Sequence, residues 1–231
     1  MALFEKTDSF LGRYKRIVPV TKALRPLFNI LFYILCVLLA LFTIIAFIMI
    51  FVNVDADKML LPPDMNAVRD ELGNITSYSL KLGNGIQIIS PASEITLAHI
   101  KLVIYARLCT WCVTFLCAAP IFKLISLLFA NIGKNNVFSE ENAKYINYTG
   151  IIIIIGDFLF TLTNNIFNYQ QVRRFVTAAE VDYSFDIQWF GIIIGLFIII
   201  IGTIYGYACS VANGQDANKE QKTKDIVQTG K

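Results

Sequence analysis

Four long apolar runs dominate this chain of 231 residues, and they constrain its fold more than any other feature. A helix needs about 20 apolar residues to cross the hydrocarbon core of a bilayer, and each run has that length. Only 16% of the chain is charged, whereas a soluble domain has about 25%. We therefore predict an all-α integral membrane protein, a four-transmembrane-helix bundle with spans at residues 27–52, 102–130, 148–167 and 187–211.

Lysine and arginine are distributed unevenly between the segments that flank these spans. Residues 1–26 are strongly basic and the tail, residues 212–231, is also basic, whereas the long loop of residues 53–101 is sparsely basic. Such residues favour the cytoplasmic side of a membrane. We predict that both termini and the loop of residues 131–147 are cytoplasmic, and that residues 53–101 and 168–186 are extracytoplasmic.

The polar stretch NNVFSEENAKYI, between the second and third spans, predicts the start of a helix. Ser139 is a good N-cap because its hydroxyl accepts a hydrogen bond from an otherwise unpaired backbone N–H group. Glu140 and Glu141 follow in the first turn, where the positive end of the helix dipole favours acidic side chains. Asn142 stands where a capping box has Glu or Gln. The alternative is a tight cytoplasmic turn with no further role.

The segment VFSEENAKYI resembles the signature of a bacterial membrane family, the domain-of-unknown-function 2975 family. The matching residues are Phe138, Ser139, Glu140, Asn142 and Ile146. Val137 replaces the usual proline, and the tail is not the acidic one common in the family. The resemblance implies four spans, a long first outer loop, a glycine-bearing last span and a bacterial plasma (inner) membrane location. It also implies regulation with a small helix-turn-helix transcription factor, and it supplies no catalytic residues.

The first outer loop is too long for a simple connector and contains the alternating segment YSLKLGNGIQIIS. Tyr78, Leu80 and Leu82 would share one face of a strand, and Asn84-Gly85 suits a hairpin turn. An isolated hairpin is barely stable in water. We therefore predict a small extracytoplasmic β-hairpin resting on the helix ends, which either caps the bundle or contributes to a ligand site.

Charged residues also fall inside the predicted spans. A carboxylate such as Asp157 costs roughly 2.5–3.5 kcal/mol at that depth unless it is protonated, paired or in contact with water. The helical rise places Lys123 within roughly 5 Å of the same depth, so we predict an intramembrane Lys123–Asp157 pair. A proton or ion relay is the alternative. Arg107 is expected to extend toward the outer headgroups, and His99 is expected at the outer surface.

The last span contains two consecutive Gly-x-x-x-Gly units. Gly191, Gly195, Gly202 and Gly206 fall within about 60° of the helix circumference, and such a stripe lets another helix backbone approach closely. We predict packing against another span of the same chain. A homodimer through helix 4 is the alternative.

All five cysteines lie inside apolar runs, unlike those of a secreted disulfide framework. Cys109 and Cys112 form a C-x-x-C pair near the outer end of the second span, which resembles membrane disulfide oxidases. Those enzymes exchange electrons with a second cysteine pair in an outer loop. The outer loops here contain no cysteine, so we disfavour this activity.

Two main functional hypotheses follow. The first is a non-enzymatic sensor or regulatory partner of a cytoplasmic factor, in which the regulatory idea rests on the resemblance. The second is a transporter-like or immunity-type protein that binds a peptide or ion among Lys123, Asp157, Asn164 and Asn165. No cofactor or metal site is predicted from a chain with a single histidine. The net charge of +3 is too small to indicate direct nucleic-acid binding, and the basic tail is expected to contact anionic lipids.

Overall fold

Four long helices and a small antiparallel sheet make up the structure, which is a computed structural model. It describes residues 2–51, 61–82, 87–134, 136–176, 184–185 and 187–229, with side chains described from residue 19 to residue 212. The elements in chain order are α1 (Ala2–Phe51), β1 (Met65–Arg69), β2 (Ile75–Lys81), β3 (Gln87–Pro91), a 3-10 turn (Ala92–Glu94), α2 (Leu97–Gly133), α3 (Glu140–Phe175) and α4 (Phe190–Thr229).

Each helix contains a stretch long and apolar enough to cross a membrane. These stretches are Pro19–Phe51, Leu97–Gly133, Glu140–Phe175 and Phe190–Ala212. The prediction of a mostly helical protein with four candidate spans is confirmed. The helices continue beyond the predicted spans because residues at helix ends can remain helical outside the apolar stretch, where water and side chains satisfy the terminal backbone groups.

The chain forms two compact units. The first unit consists of Met1–Leu35, Cys117–Ile155 and Phe190–Lys231, and the second consists of Cys36–Leu116 and Gly156–Trp189. In the first unit, the ring of Phe28 lies between α1 and α2, with its centroid 5.9 Å from that of Phe122 and 5.4 Å from that of Phe129. Ser126 of α2 donates a hydrogen bond to the Arg25 carbonyl oxygen at 3.3 Å.

The second unit contains the sheet, which has three strands in the order β1-β2-β3. The predicted strand pair is present as β2 and β3, with Leu80 opposite Ile88 and Lys81 opposite Gln87. The prediction of a two-stranded hairpin was incomplete, because a third strand, β1, pairs antiparallel with the other edge of β2. Met65 of β1 lies opposite Leu80 at one end of this pairing. The predicted Asn84-Gly85 turn lies outside the described residues.

One face of the sheet packs on the ends of two helices. Tyr78, Leu80 and Leu82 are almost completely buried, as their alternation predicts, and they share a core with Ile100 of α2 and Phe175 of α3. A buried hydrogen bond from the Ser90 hydroxyl to the Phe175 carbonyl oxygen, 3.0 Å long, joins β3 to the end of α3. This core supplies the support that a small sheet needs.

A side-chain-mediated turn connects β1 to β2. The Asp70 carboxylate accepts hydrogen bonds from the backbone N–H groups of Leu72 at 3.0 Å and Asn74 at 2.8 Å. Gly73 has φ of 85°, a conformation that other residues rarely adopt. The hydrogen bond from the Asn74 backbone is the largest of the effects that hold the pKa of Asp70 below its ordinary value of 3.8.

Acidification is therefore expected to loosen this turn. Because the folded pKa lies below the unfolded one, the stabilisation is complete above the ordinary pKa and disappears as the pH falls through the folded value. Hydrogen exchange of the Leu72 and Asn74 amides, corrected for intrinsic rates, should lose protection as the pH falls below the ordinary value of 3.8. Asp70→Asn keeps an acceptor oxygen but does not titrate, so an equal loss of protection in that variant would contradict the prediction.

Candidate ligand-binding site

A polar cavity of about 710 Å³ lies in the second unit, between the sheet and the adjoining parts of α2 and α3. Five of the side chains that line it carry amides: Asn164, Asn165, Asn168, Gln171 and Gln188. Four of these belong to α3, where Asn164 and Asn165 are adjacent and the others follow at intervals of three residues, which places all four on one broad helical face. Carboxamides donate and accept hydrogen bonds at once, so this lining can bind a polar ligand in several orientations.

An ion pair stands at the wall of the cavity. Arg107 of α2 donates from Nη2 to Asp64 Oδ1 at 2.6 Å, and 41% and 31% of the respective side chains are exposed. Arg107 is therefore ion-paired, and its extension toward the outer headgroups remains a prediction. Lys81 of β2 is a second cation in the lining. Among the described residues that line the cavity, the charged groups are therefore two cations and one carboxylate.

Hydroxyl groups extend the polar surface toward the middle of α3. The Thr110 hydroxyl lies 3.1 Å from Asn164 Oδ1 and 2.9 Å from the Ala106 carbonyl oxygen. Asn165 donates from Nδ2 to the Thr161 carbonyl oxygen at 3.0 Å. Thr161 lines the cavity, is only 8% exposed, and its Oγ1 has no hydrogen-bond partner among the residues that the structure describes.

Lys123 and Asp157, the residues of the predicted intramembrane pair, belong to different units. In the first unit, Lys123 Nζ donates to Asn29 Oδ1 at 3.1 Å and lies 5.2 Å from the ring centroid of Phe32. In the second unit, Asp157 Oδ2 is buried and has no hydrogen-bond partner within the described part of the chain. The Lys123–Asp157 pair remains a prediction.

The polar motif between α2 and α3 begins a helix at the residue that the capping rules indicate. α3 starts at Glu140, and the backbone N–H of Asn142 donates to the Ser139 hydroxyl at 3.3 Å. The Asn142 side chain is completely buried, accepts from Asn131 Nδ2 at 2.9 Å, and donates from Nδ2 to the Asn136 and Val137 carbonyl oxygens, both at 2.9 Å. This side chain thus connects the end of α2, the loop and the start of α3.

α4 packs against this motif in the first unit. The Tyr205 hydroxyl donates to the Val137 carbonyl oxygen, and its ring stacks on Phe138 at a centroid distance of 6.3 Å. The thiol of Cys209, which is completely buried, lies 3.8 Å from the Ser139 carbonyl oxygen. The residues of this polar motif therefore connect α2, α3 and α4 within the first unit.

The glycine stripe of α4 lies against α3. A Cβ atom on Gly195 would be 2.7 Å from the Gly150 carbonyl oxygen, and one on Gly206 would be 3.2 Å from Ala143 Cβ. Gly202 is in contact with the side chain of Asn147. Gly191 is the second residue of α4 and is partly exposed.

The other residues singled out in the sequence have ordinary surroundings. Cys109 and Cys112 are both free thiols, and Cys112 Sγ lies 3.9 Å from the Thr43 hydroxyl. His99 Nδ1 accepts from the Thr96 backbone N–H at 3.1 Å, and its ring contacts that of Phe175 edge-on. In the part of the chain that the structure describes, no three His, Cys, Asp or Glu residues are grouped as metal ligands.

Sequence reasoning missed several of the cavity residues. Asp64, Lys81 and Gln188 come from segments distant in the sequence from α3, and nothing local indicates their convergence. The carboxamide face of α3 was visible as a periodic pattern at residues 161, 164, 165, 168 and 171. That pattern predicts a polar helical face in an otherwise apolar segment.

These features define a multi-span membrane protein with a small sheet and a polar cavity beside it. The sequence matches a family described as "protein of unknown function (DUF2975)" over residues 85–217, which is more than half of the chain. The chain belongs to this family. Comparisons with curated proteins and with solved structures find no match.

Proposed function

We propose that this protein is a non-enzymatic sensor of the bacterial plasma membrane, which binds a small polar ligand in the cavity and acts as the regulatory partner of a cytoplasmic factor. The observation that supports this proposal is the cavity itself, with its carboxamide face and its partly exposed ion pair. Pockets of about 300–1,000 Å³ with a few convergent polar groups are typical of small-ligand sites.

The arrangement of α3 supports a link between the ligand and the cytoplasm. This single helix carries the signature residues at its N-terminal end and the carboxamides of the cavity in its C-terminal half. The basic residues before the first span and after the last one favour cytoplasmic termini. In this proposal the ligand reaches the cavity from the extracytoplasmic side, and the residues around Asn142 contact the cytoplasmic factor. The proposed function requires neither direct nucleic-acid binding nor a homodimer through α4.

A transporter-like or immunity-type protein is the second candidate. It is favoured by the buried oxygens of Asp157 and Thr161, which have no hydrogen-bond partner among the described residues. Ionisable residues inside a membrane often mark ion or substrate paths. Transport of the cavity ligand into sealed vesicles would support this candidate, whereas a sensor would bind the ligand without moving it.

Ligand binding is tested by thermal unfolding of the detergent-purified protein against a panel of amino acids, sugars and short peptides. At a concentration of about ten times the dissociation constant, a bound compound should raise Tm by about 3–6 °C. Asn164→Ala removes an amide from the cavity and should reduce the shift. Asn66→Ala, a matched change on the exposed side of β1, should leave it intact. Equal shifts in wild type and Asn164→Ala would place the ligand elsewhere.

A further inference from the structure

Two buried oxygen atoms that have no hydrogen-bond partner among the described residues lie one turn apart on α3. Asp157 Oδ2 and Thr161 Oγ1 are both inaccessible, and neither has a hydrogen-bond partner among the residues that the structure describes. Buried polar groups in native proteins are nearly always satisfied, so each such atom requires an explanation. A single shared partner that is not a protein group would satisfy both atoms.

Both side chains point away from lipid. The side chains of Ile155, Phe158 and Leu162 on the same helix are exposed and form its apolar outer face. Residues four apart on a helix lie on the same face about 6 Å apart, which places Asp157 directly below Thr161. Thr161 lines the cavity, and Asp157 lies one helical turn before it on the same face of α3.

The charges nearby determine what kind of partner fits. Arg107, a cation of the cavity lining, is already paired with Asp64 at 2.6 Å. A buried carboxylate without a counter-charge is costly. A monovalent cation neutralises one carboxylate, whereas a divalent ion would leave a net positive charge in an apolar environment. Carboxylate and hydroxyl oxygens suit hard cations.

We infer that Asp157 and Thr161 bind a monovalent cation, Na⁺, at the wall of the cavity that Thr161 lines. Asp157 provides the charge and Thr161 a neutral oxygen. Water that enters through the cavity completes the coordination. The site does not depend on the identity of the ligand that binds above it, and it holds whether the protein is a sensor or a transporter.

The test is the thermal stability of the detergent-purified full chain in NaCl, in KCl and in N-methyl-D-glucamine chloride at equal ionic strength and pH. Na⁺ at about ten times its dissociation constant should raise Tm by about 3–6 °C over N-methyl-D-glucamine. Asp157→Asn is isosteric and uncharged, and it should abolish the shift. Thr161→Val should weaken Na⁺ binding, which moves the half-maximal shift to higher NaCl.

Thr163→Val is the matched control, because Thr163 donates to the Leu159 carbonyl oxygen at 2.7 Å and should not take part. Its Na⁺ response should equal that of wild type. If Asp157→Asn fails to fold, Thr161→Val decides the question alone. Equal Tm values of the wild type in the three salts would overturn the inference, as would an undiminished response in Thr161→Val. If Tm depends on pH but not on Na⁺, the group that neutralises Asp157 is a proton, and the inference of a Na⁺ site is overturned.

Discussion

Gly195→Ala is expected to lower the thermal stability of the protein sharply, because α3 and α4 leave no room for a side chain at this point. The added Cβ atom would lie 2.5 Å from Ile154 Cγ1 and 2.7 Å from the Gly150 carbonyl oxygen. The reciprocal change, Gly150→Ala, would place Cβ 2.6 Å from the Gly195 carbonyl oxygen. In both cases the obstacle includes backbone, so the helices must move apart.

We expect each change to cost about 3 kcal/mol, near the upper end for overpacking, and to lower Tm by about 6–12 °C. Thermal unfolding of the detergent-purified protein measures this loss. Gly206→Ala is the matched control on the same stripe, because its Cβ would meet only Ala143 Cβ at 3.2 Å. It should lose much less stability.

The same experiment separates packing within the chain from a homodimer through α4. If the stripe is an interface between copies, Gly195→Ala should change the mass measured by light scattering while the Tm of the monomer stays the same. Packing within the chain predicts the reverse, a lower Tm with an unchanged mass. Equal losses in Gly195→Ala and Gly206→Ala would contradict the close approach of α4 to Gly150.

The four helices were predictable because the bilayer imposes a simple requirement of length and apolarity. The strand pair β2–β3 was predictable for a similar reason, since alternation marks the buried face. β1 was missed because MNAVR is short and its turn depends on the Asp70 side chain rather than on a standard turn sequence. A strand of this kind becomes stable only when its neighbour supplies the register.

The cavity shows more clearly which contacts could not be predicted from the sequence. The carboxamide face of α3 repeats at helical spacing and could be read from the sequence, but the Arg107–Asp64 pair joins residues 43 positions apart. Arg107 lies near a predicted span end, where a snorkelling side chain and an ion-paired one have the same sequence signature. Only the position of the sheet on α2 distinguishes them. Contacts of this kind depend on tertiary packing, which periodicity does not encode.

Asn142, in the polar motif between α2 and α3, is a second residue whose role the sequence did not reveal. In the sequence it is a departure from a capping box, whereas in the structure it is completely buried and makes three side-chain hydrogen bonds. Glu or Gln at this position would reach back to the N-cap N–H. The shorter amide instead binds the Asn136 and Val137 carbonyl oxygens, so the signature residue organises the loop rather than the helix end alone.

Asn142→Ala is therefore expected to destabilise the protein by about 3 kcal/mol, because it removes three hydrogen bonds, worth about 1 kcal/mol each, that a completely buried side chain makes. Thermal unfolding should show a Tm lower by about 6–12 °C. Asn142→Asp retains the acceptor for Asn131 but loses both donors, so it should not restore stability. Lys144→Ala, an exposed change on the same helix, should stay within about 0.5 kcal/mol of wild type.

Cysteine alkylation is a second measurement, and it shows which part of the structure Asn142→Ala disturbs. Cys209 is completely buried and lies against the Ser139 carbonyl oxygen, so its thiol should resist alkylation in the wild type. When the loop loses Asn142, α4 loses the surface on which Tyr205 and Cys209 pack. Site-specific mass spectrometry of Asn142→Ala should then show faster alkylation of Cys209, with little change at Cys36 in α1. Unchanged labelling of Cys209 despite a lower Tm would mean that Asn142 stabilises the start of α3 but does not hold α4.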